Sequence, residues 1–250
     1  MPDTPFFPAH LRAEYDQKLM NIPQRRRSAR RLYRAMKAAK VWPENPRILD
    51  VGCGAGLKLS FLGDDPWLRI GCDIRHELYL RARDHLKHIT FVQADALQLP
   101  FAEGSFDLVT CLSVIGEVPD YKAAITEMMR CVASGGLLCI NVPNGPLLKK
   151  TYRLVEFMGG HIRESWWAYA KASAPLVGSW PERGFEIPAL ARWRYVALTP
   201  FVIREDFLFS QILPFSILNS LSRHLSPTLV HIWIKPLEHK KDDSCVGSAA

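Results

Sequence analysis

The segment Ile48-Leu49-Asp50-Val51-Gly52-Cys53-Gly54-Ala55-Gly56 constrains this chain more than any other stretch. A short apolar run meets three alternating glycines. Such a strand can turn sharply, because glycine adopts positive φ at no steric cost and lets a ligand approach the backbone. Free N–H groups at the start of a following helix favour a carboxylate or a nucleotide-like guest. The spacing is G-x-G-x-G, whereas a dinucleotide fingerprint is G-x-G-x-x-G, and Leu57 stands where its third glycine would fall. Asp50 sits two residues before the first glycine. Its charge would repel a pyrophosphate and would suit a ligand that carries an ammonium and a sulfonium.

Strand and helix patterns alternate from 47 to 142. Strands are expected at Arg47–Val51, Arg69–Asp73, His88–Gln93, Phe106–Leu112 and Leu137–Val142. Helices are expected at His76–Leu86 and Asp120–Val132, the second with Asp120 as its N-cap and Gly135-Gly136 as its stop. Short apolar strands separated by helices belong to a parallel sheet covered on both faces. Right-handed crossovers then give a doubly wound α/β sheet. In that topology Asp50, Asp73 and Asp95 close three consecutive strands and face one crevice. Asp73, 23 residues after Asp50, can accept both ribose hydroxyls. Asp95 can accept an adenine amine proton while the next N–H, that of Ala96, meets a ring nitrogen.

Residues 47–144 resemble the class I S-adenosyl-L-methionine (SAM)-dependent methyltransferases, near the branch of ubiquinone, menaquinone and other small-molecule methyltransferases. Asp50–Gly56 matches the glycine motif, Asp73 the ribose acid and Asp95-Ala96 the adenine contact, continued by Leu97–Phe101. Ser105–Val109 matches the strand-four motif, and Gly135–Asn144 matches strand five. The resemblance implies SAM as cofactor and S-adenosyl-L-homocysteine as product. It places the cofactor against Asp50, Gly52, Cys53, Gly54, Gly56, Asp73, Ile74, Asp95, Ala96 and Leu112. It also implies a Rossmann-like, mostly parallel seven-stranded sheet in the order 3-2-1-4-5-7-6 with strand 7 antiparallel. Leu229–Lys235 fits strand seven, and Gly184-Phe185-Glu186 fits the approach to strand six. Relatives often carry a histidine in the segment matching Ser113–Asp120; none stands there in this chain, so no imidazole base is expected at that point.

The remaining text suits one methyltransferase domain over 1–250: a basic helical segment at 1–45, the SAM-binding core at 46–144 and a substrate-side region at 145–250. The formal net charge is +7, and residues 1–47 hold eleven Lys/Arg against four Asp/Glu, so this segment carries the whole excess. Gln24–Lys40 reads as a helix with Ala29, Leu32, Tyr33, Met36 and Ala39 on one face and Arg27, Arg30, Arg31, Arg34 and Lys37 on the other. Pro43 and Pro46 end it. A solvated face, or attraction to anionic lipid, explains the stripe better than RNA, which favours stacking aromatics among the cations. Further helices are expected at Leu147–Met158, Ile162–Ala172 and Glu205–Leu225, and strands at Gly184–Val196 and Thr228–Ile234. Trp166, Trp167 and Trp180 suit either core or the wall of an apolar pocket. None of the six cysteines forms a C-x-x-C pair, so buried free thiols are expected and no metal site is. The start lacks a signal-peptide pattern, and Phe207–Ser222 is too short to span a bilayer. The expected setting is cytoplasmic, compatible with peripheral membrane contact.

Methyl transfer from a sulfonium needs mainly alignment and water exclusion, so a catalytic residue need not be visible. The candidates for one are His161, Tyr152 and Glu117, and Tyr15 and Asp16 are candidates to fold over SAM. The expected partner is a small-molecule, hydrophobic or lipid-like acceptor. An RNA or protein methyltransferase is the alternative, but the Asn/Asp-Pro-Pro-aromatic text of amino-methylating nucleic-acid enzymes is absent at Leu112–Ile115. A non-catalytic SAM-binding module would have no need of Asp50, Gly52, Gly54, Asp73 and Asp95 together.

Overall fold

A computed structural model describes residues 20–62, 67–83, 86, 88–143, 157, 185–198 and 228–237. Seven strands form one sheet: β1 (Ile48–Val51), β2 (Arg69–Asp73), β3 (Ile89–Gln93), β4 (Phe106–Leu112), β5 (Val132–Pro143), β6 (Arg194–Leu198) and β7 (Thr228–Ile234). Their order is β3-β2-β1-β4-β5-β7-β6. The first five run parallel, and β7 is antiparallel to both β5 and β6. This is the expected doubly wound α/β architecture, strand 7 included.

The centre of the sheet is apolar on both faces, as parallel strands covered by helices must be. All four residues of β1 are buried. On one face lies α1 (Ile22–Ala38), whose Ala29, Leu32 and Met36 share a core with Ile48, Leu108 and Cys139. Tyr33 meets Trp42 edge-on at 4.6 Å between centroids, and Trp42 lies 5.3 Å from Trp67, so an aromatic pile extends that core. On the other face, α4 (Tyr121–Cys131) sets Ala124, Ile125 and Met128 in one cluster with Val109, Leu138 and Ile140. Asp120 caps α4 as expected, its Oδ1 accepting the Ala123 N–H at 3.0 Å. Between these lie two short helices, α2 (Leu57–Ser60) and α3 (His76–Ala82), and before β6 comes α5 (Pro188–Ala191).

Three sequence expectations need correction. Gly135-Gly136 does not stop a helix: α4 ends at Cys131, and β5 already begins at Val132, whose β-branched side chain favours extended backbone. The glycines lie inside the strand, where pairing moves from Phe106↔Val132 to Leu108↔Leu137 and the extra residues of β5 bulge out. Gly184–Val196 is not one strand. Pro188 opens α5, and the strand starts only at Arg194, because proline lacks a ladder donor and suits the first turn of a helix. The helix expected at His76–Leu86 ends at Ala82. The helices expected at Leu147–Met158, Ile162–Ala172 and Glu205–Leu225 lie outside the described residues, apart from helical Phe157.

Cys53, Cys72, Cys111, Cys131 and Cys139 are buried free thiols. Burial pushes them above the usual range, Cys131 to about 11 and Cys139 to about 12, so they behave as small apolar side chains.

Candidate cofactor site

Parallel strands end at one edge of the sheet, and here β1, β2 and β3 deliver Asp50, Asp73 and Asp95 to it. The three carboxylates differ. Asp50 is only 2% exposed, and its Oδ1 accepts the Thr110 hydroxyl from β4 at 2.6 Å. Burial holds its carboxyl above the ordinary range, opposed by the charge of Lys58 and the Thr110 bond, while Asp73 pushes the same way as burial. Asp73 is raised by burial as well. Its Oδ2 accepts the Gly54 N–H at 2.7 Å, and its Oδ1 accepts the Arg75 N–H at 2.9 Å. Asp95 is exposed and folds a local turn, Oδ1 accepting the Leu97 N–H at 2.9 Å.

The glycine turn is stitched to the end of β2. The N–H groups of Gly52 and Cys53 both donate to the Cys72 carbonyl, at 2.8 and 3.0 Å, and that of Gly56 donates to Cys53. With Gly54 held by Asp73, these four donors are used within the protein, and α2 is only four residues long. The expected anion seat of free N–H groups is therefore absent at these positions. What the turn offers is close approach. At Gly52 φ is +70°, and an added Cβ would fall 2.4 Å from a Val114 methyl. Cys53 is likewise tucked against Gly71, where an added Cβ would lie 2.7 Å from its Sγ.

The loops beside the turn are braced. Ile74 is 48% exposed just after β2, and its carbonyl accepts the Gln93 side-chain amide at 3.0 Å. Ala96 is half-buried in the segment after β3. That segment is gripped by α4: Glu127 accepts the Leu99 N–H at 3.0 Å, and Arg130 donates to the carbonyls of Phe101 and Leu99 at 2.6 and 2.9 Å. Leu112 turns its side chain into the core shared with α1, while its carbonyl accepts the Lys58 ammonium at 2.7 Å. Glu117 sits half-buried in the 3-10 turn Ile115–Glu117 that follows β4. His161, Tyr152, Tyr15 and Asp16 lie outside the described residues.

Sequence reasoning missed four members of this edge. Lys58 and Thr110 flank Asp50. Buried Asn141 on β5 accepts the Ser113 N–H, and its Nδ2 donates to Ser113 Oγ at 3.3 Å, fixing a residue with φ of +67°. The signal was there to find: Lys58, Thr110 and Asn141 are single polar residues within apolar runs, and a buried polar group needs a partner.

The donor set suits a cationic adenosyl compound. Each Asp73 oxygen takes one N–H and has a further lone pair for a hydroxyl. Two raised carboxylates favour a guest that brings positive charge, and exposed Ile74 offers apolar surface to a flat ring.

Residues 49–140 match the family described as Methyltransferase domain. A demethylmenaquinone methyltransferase from Thermus thermophilus is 34% identical over 137 residues, covering 49% of this chain and 62% of the relative. One from Beutenbergia cavernae is 34% identical over 94 residues, covering 38% and 39%. The chain thus spans less than two thirds of the length of these curated relatives. A SAM-dependent methyltransferase from Thermotoga maritima shares the fold at 16% identity and a TM-score of 0.51, over 90% of this chain and 97% of that one. The sheet order and the glycine turn are those of the class I SAM-dependent methyltransferase fold, and residues 49–140 within it match the methyltransferase domain.

Proposed function

We propose that this protein transfers the methyl group of SAM to a small apolar acceptor of quinone- or lipid-like character. The observation that carries the reading is the pair of carboxylates, buried Asp50 and half-buried Asp73, set against a glycine turn in which a side chain at Gly52 would strike Val114. The likeness to demethylmenaquinone methyltransferases supports the class of acceptor.

SAM, when bound, supplies an electrophilic methyl group on a sulfonium. In this reading Asp73 accepts the ribose hydroxyls with the lone pairs left by Gly54 and Arg75. Asp50 contributes negative charge beside the methionine moiety, and the backbone of Leu112 borders it, the carbonyl held by Lys58. Gly52, Cys53, Gly54 and Gly56 keep the floor of the crevice low. Ile74, Asp95 and Ala96 receive the adenine. Orientation and exclusion of water supply about 7–11 kcal/mol of barrier lowering in well-aligned systems. A protonated acceptor needs a base as well, worth roughly 10²–10⁴-fold. Glu117 is the candidate within the described residues, and His161 and Tyr152 are those outside them.

The test is transfer of labelled methyl from SAM into fractionated cell extract. Label in the organic-solvent phase is expected. Label confined to RNA or protein would remove the acceptor class, and no label in any fraction, with SAM binding intact, would remove the activity.

A further inference from the structure

The outer face of α1 is a bare cationic surface. Arg27, Arg30, Arg34 and Lys37 are all exposed, and the helix contains no acidic residue. Their 3-4-3 spacing places them on one stripe about 15 Å long. Among the described residues, none of the four has an acidic side chain paired with it; Lys37 lies 5.5 Å from the Tyr33 ring centre. The opposite face is anchored, with Ala29, Leu32 and Met36 in the core, so the stripe cannot roll inward.

We infer that this stripe docks the protein on an anionic phospholipid surface, with α1 lying along the membrane plane. Two features favour a bilayer over RNA. Among the described residues, the aromatics nearest the stripe, Tyr33, Trp42 and Trp67, are packed on one another rather than presented as a stacking platform. The surface is also a single convex helix face, which matches a flat sheet of negative headgroups by charge alone. Its position suits delivery of an apolar molecule. Ile22, at the start of α1, shares a small core with Ala55 of the glycine turn and Leu57 of α2, so the N-terminal end of α1 lies beside the proposed cofactor site.

The full chain is tested by sedimentation with vesicles, without SAM or acceptor, so the result is separate from that of the methyl-transfer assay. Binding to phosphatidylcholine–phosphatidylserine vesicles and release by added salt are expected, with little binding to pure phosphatidylcholine. Each surface cation contributes roughly fivefold to partitioning, so R27Q/R30Q/R34Q/K37Q should lower it on the order of 10²–10³-fold. Its circular dichroism melt should match the unsubstituted protein. If that variant does not fold, the single charge reversal R30E should still weaken partitioning by roughly 25-fold, the value of two charges. Unchanged partitioning of a folded variant would overturn the proposal. So would equal binding to neutral vesicles, or tighter binding to an RNA oligonucleotide than to the anionic vesicles.

Discussion

The parallel and antiparallel halves of this one sheet are built on different principles. In the parallel half, β1, β2, β3 and β4 all end at one edge, so their terminal polar groups gather there: Asp50 with Thr110, and Asp73 with the backbone of Gly54 and Arg75. In the antiparallel half, β7 reverses, and the described interior is filled by rings instead. Phe185 and Tyr195 lie 5.3 and 5.6 Å from Trp233, and the Tyr195 hydroxyl meets His231 Nδ1 at 2.6 Å. Strand direction decides which half can collect a polar rim for a ligand and which can serve mainly as packed support.

If that division is real, the two halves should fail differently. Trp233→Ala is expected to have the largest effect, about 3–5 kcal/mol of stability, since it empties a fully buried indole site. Calorimetric SAM affinity of the folded fraction should hold; a parallel loss of affinity would break the comparison. Gly52→Ala should cost about 1–3 kcal/mol, because its φ is +70° and the new methyl would strike Val114. It should also lower SAM affinity at least tenfold, measured in the same titration.

Asp73→Asn keeps the side chain's shape and removes its charge. SAM affinity should fall about 10–100-fold, the value of hydrogen bonds to a charged group, and the free protein should lose about 1–3 kcal/mol in its thermal melt, because the amide leaves the Gly54 or the Arg75 N–H without an acceptor. The pH dependence sharpens the same point. Asp50 and Asp73 are raised in the folded protein, so their contribution to stability is fully present below the ordinary carboxylate range. It is lost as pH rises through their raised values. In the proposed binding mode SAM takes the ionised forms, so the stabilisation it confers in thermal melts should shrink from neutral to mildly acid buffer. Lys58→Met, which removes the opposing charge, should move that decline toward neutral pH. The smallest effect belongs to the support half: Tyr195→Phe should cost about 0.5–1.5 kcal/mol in denaturant titrations and leave SAM affinity alone.

Much of the fold was legible because its signals are local. The strands at Ile48–Val51, Arg69–Asp73 and Phe106–Leu112 follow from apolar runs, and the Asp120 cap from one side chain reaching its own helix. The misreadings came where local preference competed with distant partners. Gly135-Gly136 looks like a helix stop, but the Gly136 carbonyl accepts the Lys235 N–H at 2.9 Å, from a residue a hundred positions later. The donors of the glycine turn look free until the end of β2 is brought beside them.

By itself the sequence determined the elements, the parallel core and the carboxylates that arrive at its edge, since periodicity and residue chemistry act within a few residues. Only the tertiary structure decided how those carboxylates stand. It enclosed Asp50 with Lys58 and Thr110, turned Asp73 onto the Gly54 N–H, and left Asp95 in solvent. Burial and charge are properties of neighbours in space, and those neighbours exist only once the strands have paired.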